Sequence, residues 1–364
     1  MQVNDIIQEF ETYAPLSLQE NYDNSGLLVG NKYIEVTGAL LTIDVTENVI
    51  NEAIEHNCNL IIAHHPLIFK SLKRITYENE MQRCIAMLIK NDIVLYAAHT
   101  NFDNVIDGVN AKIADKLKLT NREVLLPMPE TLLKLVTYVP KLQLVMVRDA
   151  LFNAGAGHIG NYDSCSFTSE GFGTFRANAD AQPFVGEIDK LHSEPEIRLE
   201  VILPKHNKTK VIQALLKSHP YEEPAFDIIQ LQNYSNRLGA GMVGDLTEPV
   251  DEIKFLNNLK VLFNCNQIKY TGLLSKNIKR VALCGGSGSF LLPNAIASGA
   301  DVFISGDFKY HEFFEAENRI LVADLGHFET EQYTKHIFYE IITKKMPTFA
   351  VRISETKTNP INYL

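Results

Sequence analysis

The chain has 364 residues, 46% hydrophobic and 21% charged, enough for two domains or for one core carrying a large insertion. Its 34 basic side chains face 44 acidic ones, and the net charge of -10 speaks against nucleic acid or another polyanion as a partner. No apolar run nears the ~20 residues needed to cross a bilayer, and the five scattered cysteines (Cys58, Cys84, Cys165, Cys265, Cys284) form no C-x-x-C pair, so a cytoplasmic protein with reduced thiols is expected.

The chain opens on MQVNDIIQEFETYAP, which reads as an amphipathic helix. ENYDNSGLLVG, at 20–30, is a polar turn running into an apolar strand. From 37 to 119 strand and helix patterns alternate: GALLTIDV, NLIIAHH and IVLYAAHT as strands, ENVINEAIEH, MQRCIAMLIKN and DGVNAKIADKL as helices. Such alternation implies βαβ units and a parallel sheet.

Between about Pro127 and Leu238 the texture changes. LKLVTYVPK and EIRLEVILPK read as half-buried strands, followed by the helical runs VMVRDALFNAG and KVIQALLKS and by a further strand, FDIIQL. Two βα halves of this kind suggest a small ferredoxin-like α+β unit. The α/β pattern then resumes with strands KRVALCG, ADVFISG and RILVADLG. Helices LLPNAIASG, YHEFFEAE and ETEQYTKHIFYEIITKK alternate with them, and TFAVRIS is a candidate last strand. The expected architecture is an α/β fold, a three-layer core around a central, mostly parallel sheet. Core halves 1–126 and 239–364 flank an inserted unit at 127–238.

Three stretches concentrate the polar chemistry: AHHPLIF at 63–69, AAHTNFD at 97–103 and DLGHFETE at 324–331. Each follows an apolar run, so each delivers imidazole or carboxylate to the carboxyl end of a buried strand, where open α/β sheets bind ligands. A lone histidine there is ordinarily a hydrogen-bonded core side chain. Several together suggest metal.

Adjacent His64 and His65 would point to opposite faces of a regular strand, but Pro66 holds His65 extended at the strand end, where both rings can turn inward. His327 and Glu331, four apart, share a helix face. Asp103 follows His99 closely. These five (His64, His65, Asp103, His327, Glu331) exceed the needs of one tetrahedral ion and suit two divalent ions, with carboxylates to bridge them. Lacking thiolate, the set fits Zn, Mn, Fe or Co. The expected split puts His65 and Asp103 on one ion, His64 and His327 on the other, and Glu331 on both.

Two further histidines are candidate catalytic residues. His99 reads as a partner orienting Asp103 or as a general acid, and His311, in SGDFKYHEFF, as a substrate contact or a surface histidine. His56, His192, His206 and His336 are expected to face solvent. CGGSGS, at 284–289, sits at a strand-to-helix turn whose amides suit phosphate, although its spacing matches neither dinucleotide nor P-loop patterns.

Taken together, AHHPLIF, HTNFD, SGDFKYHE and GHFETE resemble the Nif-three-like family, known in bacteria as GTP cyclohydrolase 1 type 2 homologues. ENYDNSGLLVG resembles that family's N-terminal segment, with Tyr22 where Trp is common. GAGHIGNYDSCSF, GFGTFRAN and SHPYEEPAFDI resemble the PII/CutA-like domain inserted in its longer bacterial members. The resemblance spans nearly the whole chain. It implies a dinuclear divalent-metal centre on the same five residues and a toroidal homohexamer with the inserted domains over its openings. It also implies GTP cyclohydrolase chemistry, in which water attacks the purine C8, the ring opens and formate leaves. The expected substrate is therefore GTP or a related phosphorylated small molecule. The competing expectation is a non-catalytic metal-binding regulatory assembly whose inserted domain senses a small effector.

Overall fold

A computed structural model describes residues 1–364, which form two compact units: Met1–Pro127 with Arg237–Leu364, and Met128–Asn236.

The larger unit contains two sheets rather than one. The first has five strands: β1 (Gly26–Val29), β2 (Ala39–Thr42), β3 (Leu60–Ala63), β4 (Val94–Ala97) and the C-terminal β15 (Val351–Ile353), in the order β1-β4-β3-β2-β15. The strands from β15 to β4 run parallel, and β1 is antiparallel at the edge. Every residue of β2, β3 and β4 is buried, as expected of parallel strands covered on both faces.

The second sheet has six strands: β5 (Thr120–Pro127), β10 (Gly239–Asp251), β11 (Lys269–Tyr270), β12 (Asn277–Ser287), β13 (Val302–Gly306) and β14 (Leu321–Asp324), in the order β11-β14-β13-β12-β10-β5. Strands β12, β13 and β14 are parallel, while β10 and β5 extend the sheet antiparallel. The single central sheet expected from the strand–helix alternation is thus corrected. Alternation counts parallel strands without saying how many sheets they make, and the Gly-rich β10 carries no strong apolar alternation to announce it.

Helices Glu47–Glu55 and Glu80–Lys90 pack on the first sheet through Val49, Ile50, Ile85 and Leu88. Their first turns are capped by Thr46 and Asn79, whose side chains accept from the amides of Val49 and Gln82. The N-terminal helix Val3–Tyr13 meets the C-terminal helix Thr334–Lys345 through Phe10 and Phe338, ring centroids 5.4 Å apart, with Phe102 against both. All three rings are fully buried, each contributing about 1.5–3 kcal/mol.

Two helical expectations are revised. YHEFFEAE forms a 3-10 helix, Tyr310–Ala316, and the long last helix divides into His327–Glu331 and Thr334–Lys345. No helix is long and apolar enough to cross a membrane.

The smaller unit contains β6 (Leu132–Pro140), β7 (Ser166–Arg176), β8 (Leu191–Pro204) and β9 (Phe226–Gln230), with helices Leu144–Asn153 and Lys208–Ser218. The succession βαββαβ and the all-antiparallel order β7-β8-β6-β9 make it a ferredoxin-like fold. Strand β7, in the Gly-, Ser- and aromatic-rich stretch, carries no apolar alternation because it is exposed along most of its length.

Candidate metal centre

The parallel strands of both sheets end at one cluster in the larger unit. His64 and His65 follow β3, His99 follows β4 and leads into the short helix Thr100–Asp103, and His327 and Glu331 lie on the short helix after β14. The structure therefore brings together all five expected ligands, with His99 beside them. Three triads have their ligand atoms within 4.8 Å of one another: His65, His327 and Glu331; His64, Asp103 and Glu331; and His64, His65 and His99.

Glu331 is buried and central. Its Oε2 lies 2.9 Å from His65 Nε2 and 3.0 Å from His327 Nε2, while Oε1 lies 3.6 Å from His64 Nε2. His64 Nε2 is 3.9 Å from Asp103 Oδ1. By distance the ligand atoms group otherwise than in the expected split. His65 goes with His327, and His64 with Asp103, because the two adjacent rings diverge toward opposite oxygens of one carboxylate.

Each imidazole is fixed from behind. Nδ1 of His64 donates to the carbonyl of Ala98 at 2.8 Å; those of His65, His99 and His327 meet Asp44, Asp23 and Asp307, each at 2.7 Å. Held this way at Nδ1, every Nε2 points forward and would be free to coordinate a metal ion, the arrangement typical of metal-bound histidine. The His99 ring is accordingly held by Asp23, while its backbone carbonyl accepts from the amide of Asp103 at 3.4 Å. Thr100 donates to the same Asp23 carboxylate from both its amide and its hydroxyl.

Asp23, Asp44 and Asp307 belong to the site without being marked as such in the sequence. Each follows or precedes a strand (YDNSG, TIDV, SGDF), but an aspartate there is also an ordinary turn residue.

Charge is unevenly satisfied here. Burial would raise the Glu331 pKa, yet the charge of His64 and hydrogen bonds from the histidines hold it well below the usual range. Burial and the nearby Glu331 charge push Asp103 up. Although burial works the other way, hydrogen bonds to Asp44 and Glu331 raise His65 to about 10, and contacts with Glu331 and Asp307 raise His327 to about 9. The cluster is a sink for positive charge. Two of its buried polar atoms, His64 Nε2 and Asp103 Oδ1, have no hydrogen-bond partner. Orphaned buried donors and acceptors are rare, and a lone pair beside a carboxylate oxygen, both facing Glu331, fits a cation.

The glycine-rich turn packs against this cluster. Gly286 has φ +62°, and a Cβ there would meet Glu331 Oε1 at 2.2 Å. The amides of Gly285 and Gly286 are already committed, to Asn110 Oδ1 at 3.0 Å and Thr330 Oγ1 at 2.9 Å.

His311 stands apart from the triads. It is exposed on the 3-10 helix, its ring against Tyr310 and Phe314. His56 and His336 face solvent as expected, whereas His192 and His206 are half-buried, His192 with its Nε2 2.8 Å from Glu194.

Fold and site together define an α/β protein with a buried histidine–carboxylate cluster, able to bind metal, at the carboxyl ends of two sheets. Residues 1–360 match the Duf34/NIF3 (NGG1p interacting factor 3) family, and the chain belongs to it. It is 41% identical over 369 residues to a GTP cyclohydrolase 1 type 2 homolog of Bacillus subtilis, covering 99% of this chain and 98% of that one. A protein of the same name from Halalkalibacterium halodurans is 39% identical over 364 residues, with coverages of 99% and 98%. Among solved structures, a Bacillus cereus protein related to NIF3 superposes with a TM-score of 0.88 at 37% identity, covering 100% and 99% of the two chains. A Staphylococcus aureus protein superposes with a TM-score of 0.78 at 31% identity, again covering 100% and 99%.

Proposed function

We propose that the chain is a cytoplasmic, divalent-metal-dependent hydrolase with two ions per subunit, acting on GTP or a related nucleotide or phosphorylated small molecule. The observation that carries this reading is the orphaned pair, His64 Nε2 and Asp103 Oδ1, buried beside a Glu331 carboxylate shared with His65 and His327. His64, Asp103 and Glu331 would hold one ion, and His65, His327 and Glu331 the other. The donor set of nitrogen and oxygen suits Zn, Mn, Fe or Co.

When bound, a pair of divalent ions lowers the pKa of a water and polarises the group it attacks. The chain's own residues supply the rest. Asp44, Asp307 and the Ala98 carbonyl take the Nδ1 side of three imidazoles and keep each Nε2 aimed inward, so no reorientation is needed as charge develops. His99 is the group suited to carry a proton. Asp23 fixes its Nδ1, and its ring lies 5.2 Å from that of His64 and 5.4 Å from that of His65, which leaves Nε2 for a leaving group.

The name borne by the relatives, GTP cyclohydrolase 1 type 2 homolog, supports GTP or a related nucleotide as substrate, and the resemblance to that family carries the chemistry proposed for it, opening of the purine at C8 with loss of formate. His311 remains a candidate substrate contact at the surface. The βαββαβ order supports reading the inserted unit as PII/CutA-like, and a toroidal homohexamer is the assembly this reading carries.

The test is incubation of metal-loaded protein with GTP, following formate and the absorbance of a pteridine-like product. Activity should fall by at least about a hundredfold in His64→Ala and Glu331→Gln. Turnover unchanged by either substitution would end the proposal. A second reading, a non-catalytic metal-binding regulator, is favoured by one observation, the cavity in the inserted unit. Stoichiometric metal binding without turnover across a nucleotide panel would select it.

A further inference from the structure

The inserted unit covers only one face of its sheet. Helices Leu144–Asn153 and Lys208–Ser218 pack on that face through Leu135, Val147, Leu199 and Leu215. Because side chains alternate along a strand, Ile197 and Leu199 of β8 are buried while Glu196 and Arg198 line the other side. There a cavity of about 720 Å³ opens between β7, β8 and the loops bearing Phe184 and Tyr221. Glu222 accepts from the amide of Gln182 at 2.9 Å and ties those two loops together.

Glu196 is the anomaly. It is nine-tenths buried, with 9% exposure, and lines the cavity. No basic side chain pairs with it, since its neighbour Arg198 is engaged by Glu200 at 2.9 Å. The strand makes room for it: a Cβ on Gly173 would lie 2.1 Å from Glu196 Oε2.

Aromatic surface surrounds this carboxylate. The Tyr221 ring lies 6.2 Å from both Phe175 and Phe184, and its hydroxyl faces Glu196. Around the opening stand Glu170, Asp180, Glu222 and Glu223, with Arg198 the only basic lining residue.

A buried carboxylate with no basic partner, faced by the neutral Tyr221 hydroxyl, is costly unless a cation meets it, and aromatic faces attract cations. An anion, by contrast, would have to pass four exposed carboxylates.

We infer that this cavity binds a planar organic cation (an amidinium, a guanidinium or a protonated nitrogen heterocycle) that donates its N–H groups to Glu196 between the rings of Phe175, Phe184 and Tyr221. The inference stands whether or not the metal centre turns over a substrate. It excludes anionic nucleotides as occupants of this site.

The test titrates full-length protein with benzamidine by calorimetry, alongside neutral benzamide, anionic benzoate and ATP. Benzamidine should bind once per chain, at least about tenfold more tightly than any of the other three. Glu196→Gln, which keeps the side chain's shape, should weaken it at least about tenfold, with circular dichroism and metal content unchanged. Should that variant misfold, the comparison of benzamidine with isosteric benzamide on the wild-type protein still decides. Equal binding of benzamide, preference for benzoate or ATP, retention of affinity in a folded Glu196→Gln, or no benzamidine binding up to about 10 mM would each overturn the inference.

Discussion

The Nε2 atoms of His65 and His327, residues 262 positions apart in the chain, lie 3.2 Å from each other. Both rings are held with Nδ1 toward an aspartate, Asp44 for one and Asp307 for the other. Both nitrogens also face Glu331, which raises the affinity of the two rings for protons, and a metal ion would displace those protons and take both lone pairs. Zinc or manganese should therefore stabilise the folded protein, and chelation should remove that stability. At free metal a thousandfold above Kd the linkage amounts to about 4 kcal/mol. Scanning calorimetry with and without EDTA measures it, and a Tm indifferent to added metal would rule the ion out.

Stoichiometry separates the roles of the two carboxylates. Glu331 reaches both histidine groups, whereas Asp103 lies beside His64 alone. Glu331→Gln should bring metal content from about two ions per chain toward zero. Asp103→Asn should bring it to about one. Elemental analysis of the purified variants is the measurement, and equal losses would show that the pairing of ligands is wrong.

How far the sequence discloses this arrangement differs from residue to residue. Histidines at strand ends are scarce enough that His64, His65 and His327 stand out, and the apolar runs before them reveal the buried parallel strands. What sets the tautomers is less visible. Asp23, Asp44 and Asp307 look like turn residues, and the Ala98 carbonyl has no side-chain signal at all. The division into two sheets was hidden for a related reason. It depends on the antiparallel strand β10 pairing with β5 across the length of the inserted unit, a long-range choice that local periodicity does not encode. Within the inserted unit the helices and three strands were legible from their apolar spacing, but β7 has almost no buried side chain to mark it.

Gly286 is placed to make the strongest single demand on the turn after β12. Its φ of +62° disfavours any side chain, and the first carbon of one would land 2.2 Å from Glu331 Oε1 and 3.2 Å from His327 Nε2. Gly286→Ala should cost about 1–3 kcal/mol and displace the central carboxylate, lowering metal content as well as Tm. Gly299, also at positive φ but with open space around it, is the control. Its alanine variant should lose stability without losing metal. Identical metal content in the two variants would refute the packing argument.

The C-terminal strand offers a pH test away from the histidines. Glu52, in helix Glu47–Glu55, accepts hydrogen bonds from Ser354 Oγ at 2.6 Å, the Glu355 amide at 2.8 Å, and the Thr356 amide and hydroxyl at 3.2 and 2.6 Å. Burial opposes ionisation here, but these donors outweigh it and hold the Glu52 pKa below the usual glutamate value. A carboxyl whose folded pKa is depressed adds stability above its unfolded value of about 4.3, and loses it as pH falls through that value toward the folded one. Hydrogen bonds to a charged group are worth about 1.5–3 kcal/mol, nearer the lower figure for a part-exposed one. Glu52→Gln should therefore lower Tm at pH 7, and the gap from the wild type should narrow below about pH 4.3. Hydrogen exchange should show residues 351–358 opening first in acid, because β15 joins the sheet only along β2. Thr358, just beyond, donates to Asp44 at 2.7 Å, so loosening this segment frees the aspartate that orients His65. A gap between variant and wild type that stays constant from pH 7 to pH 3.5 would show that the charge on Glu52 does not hold the strand.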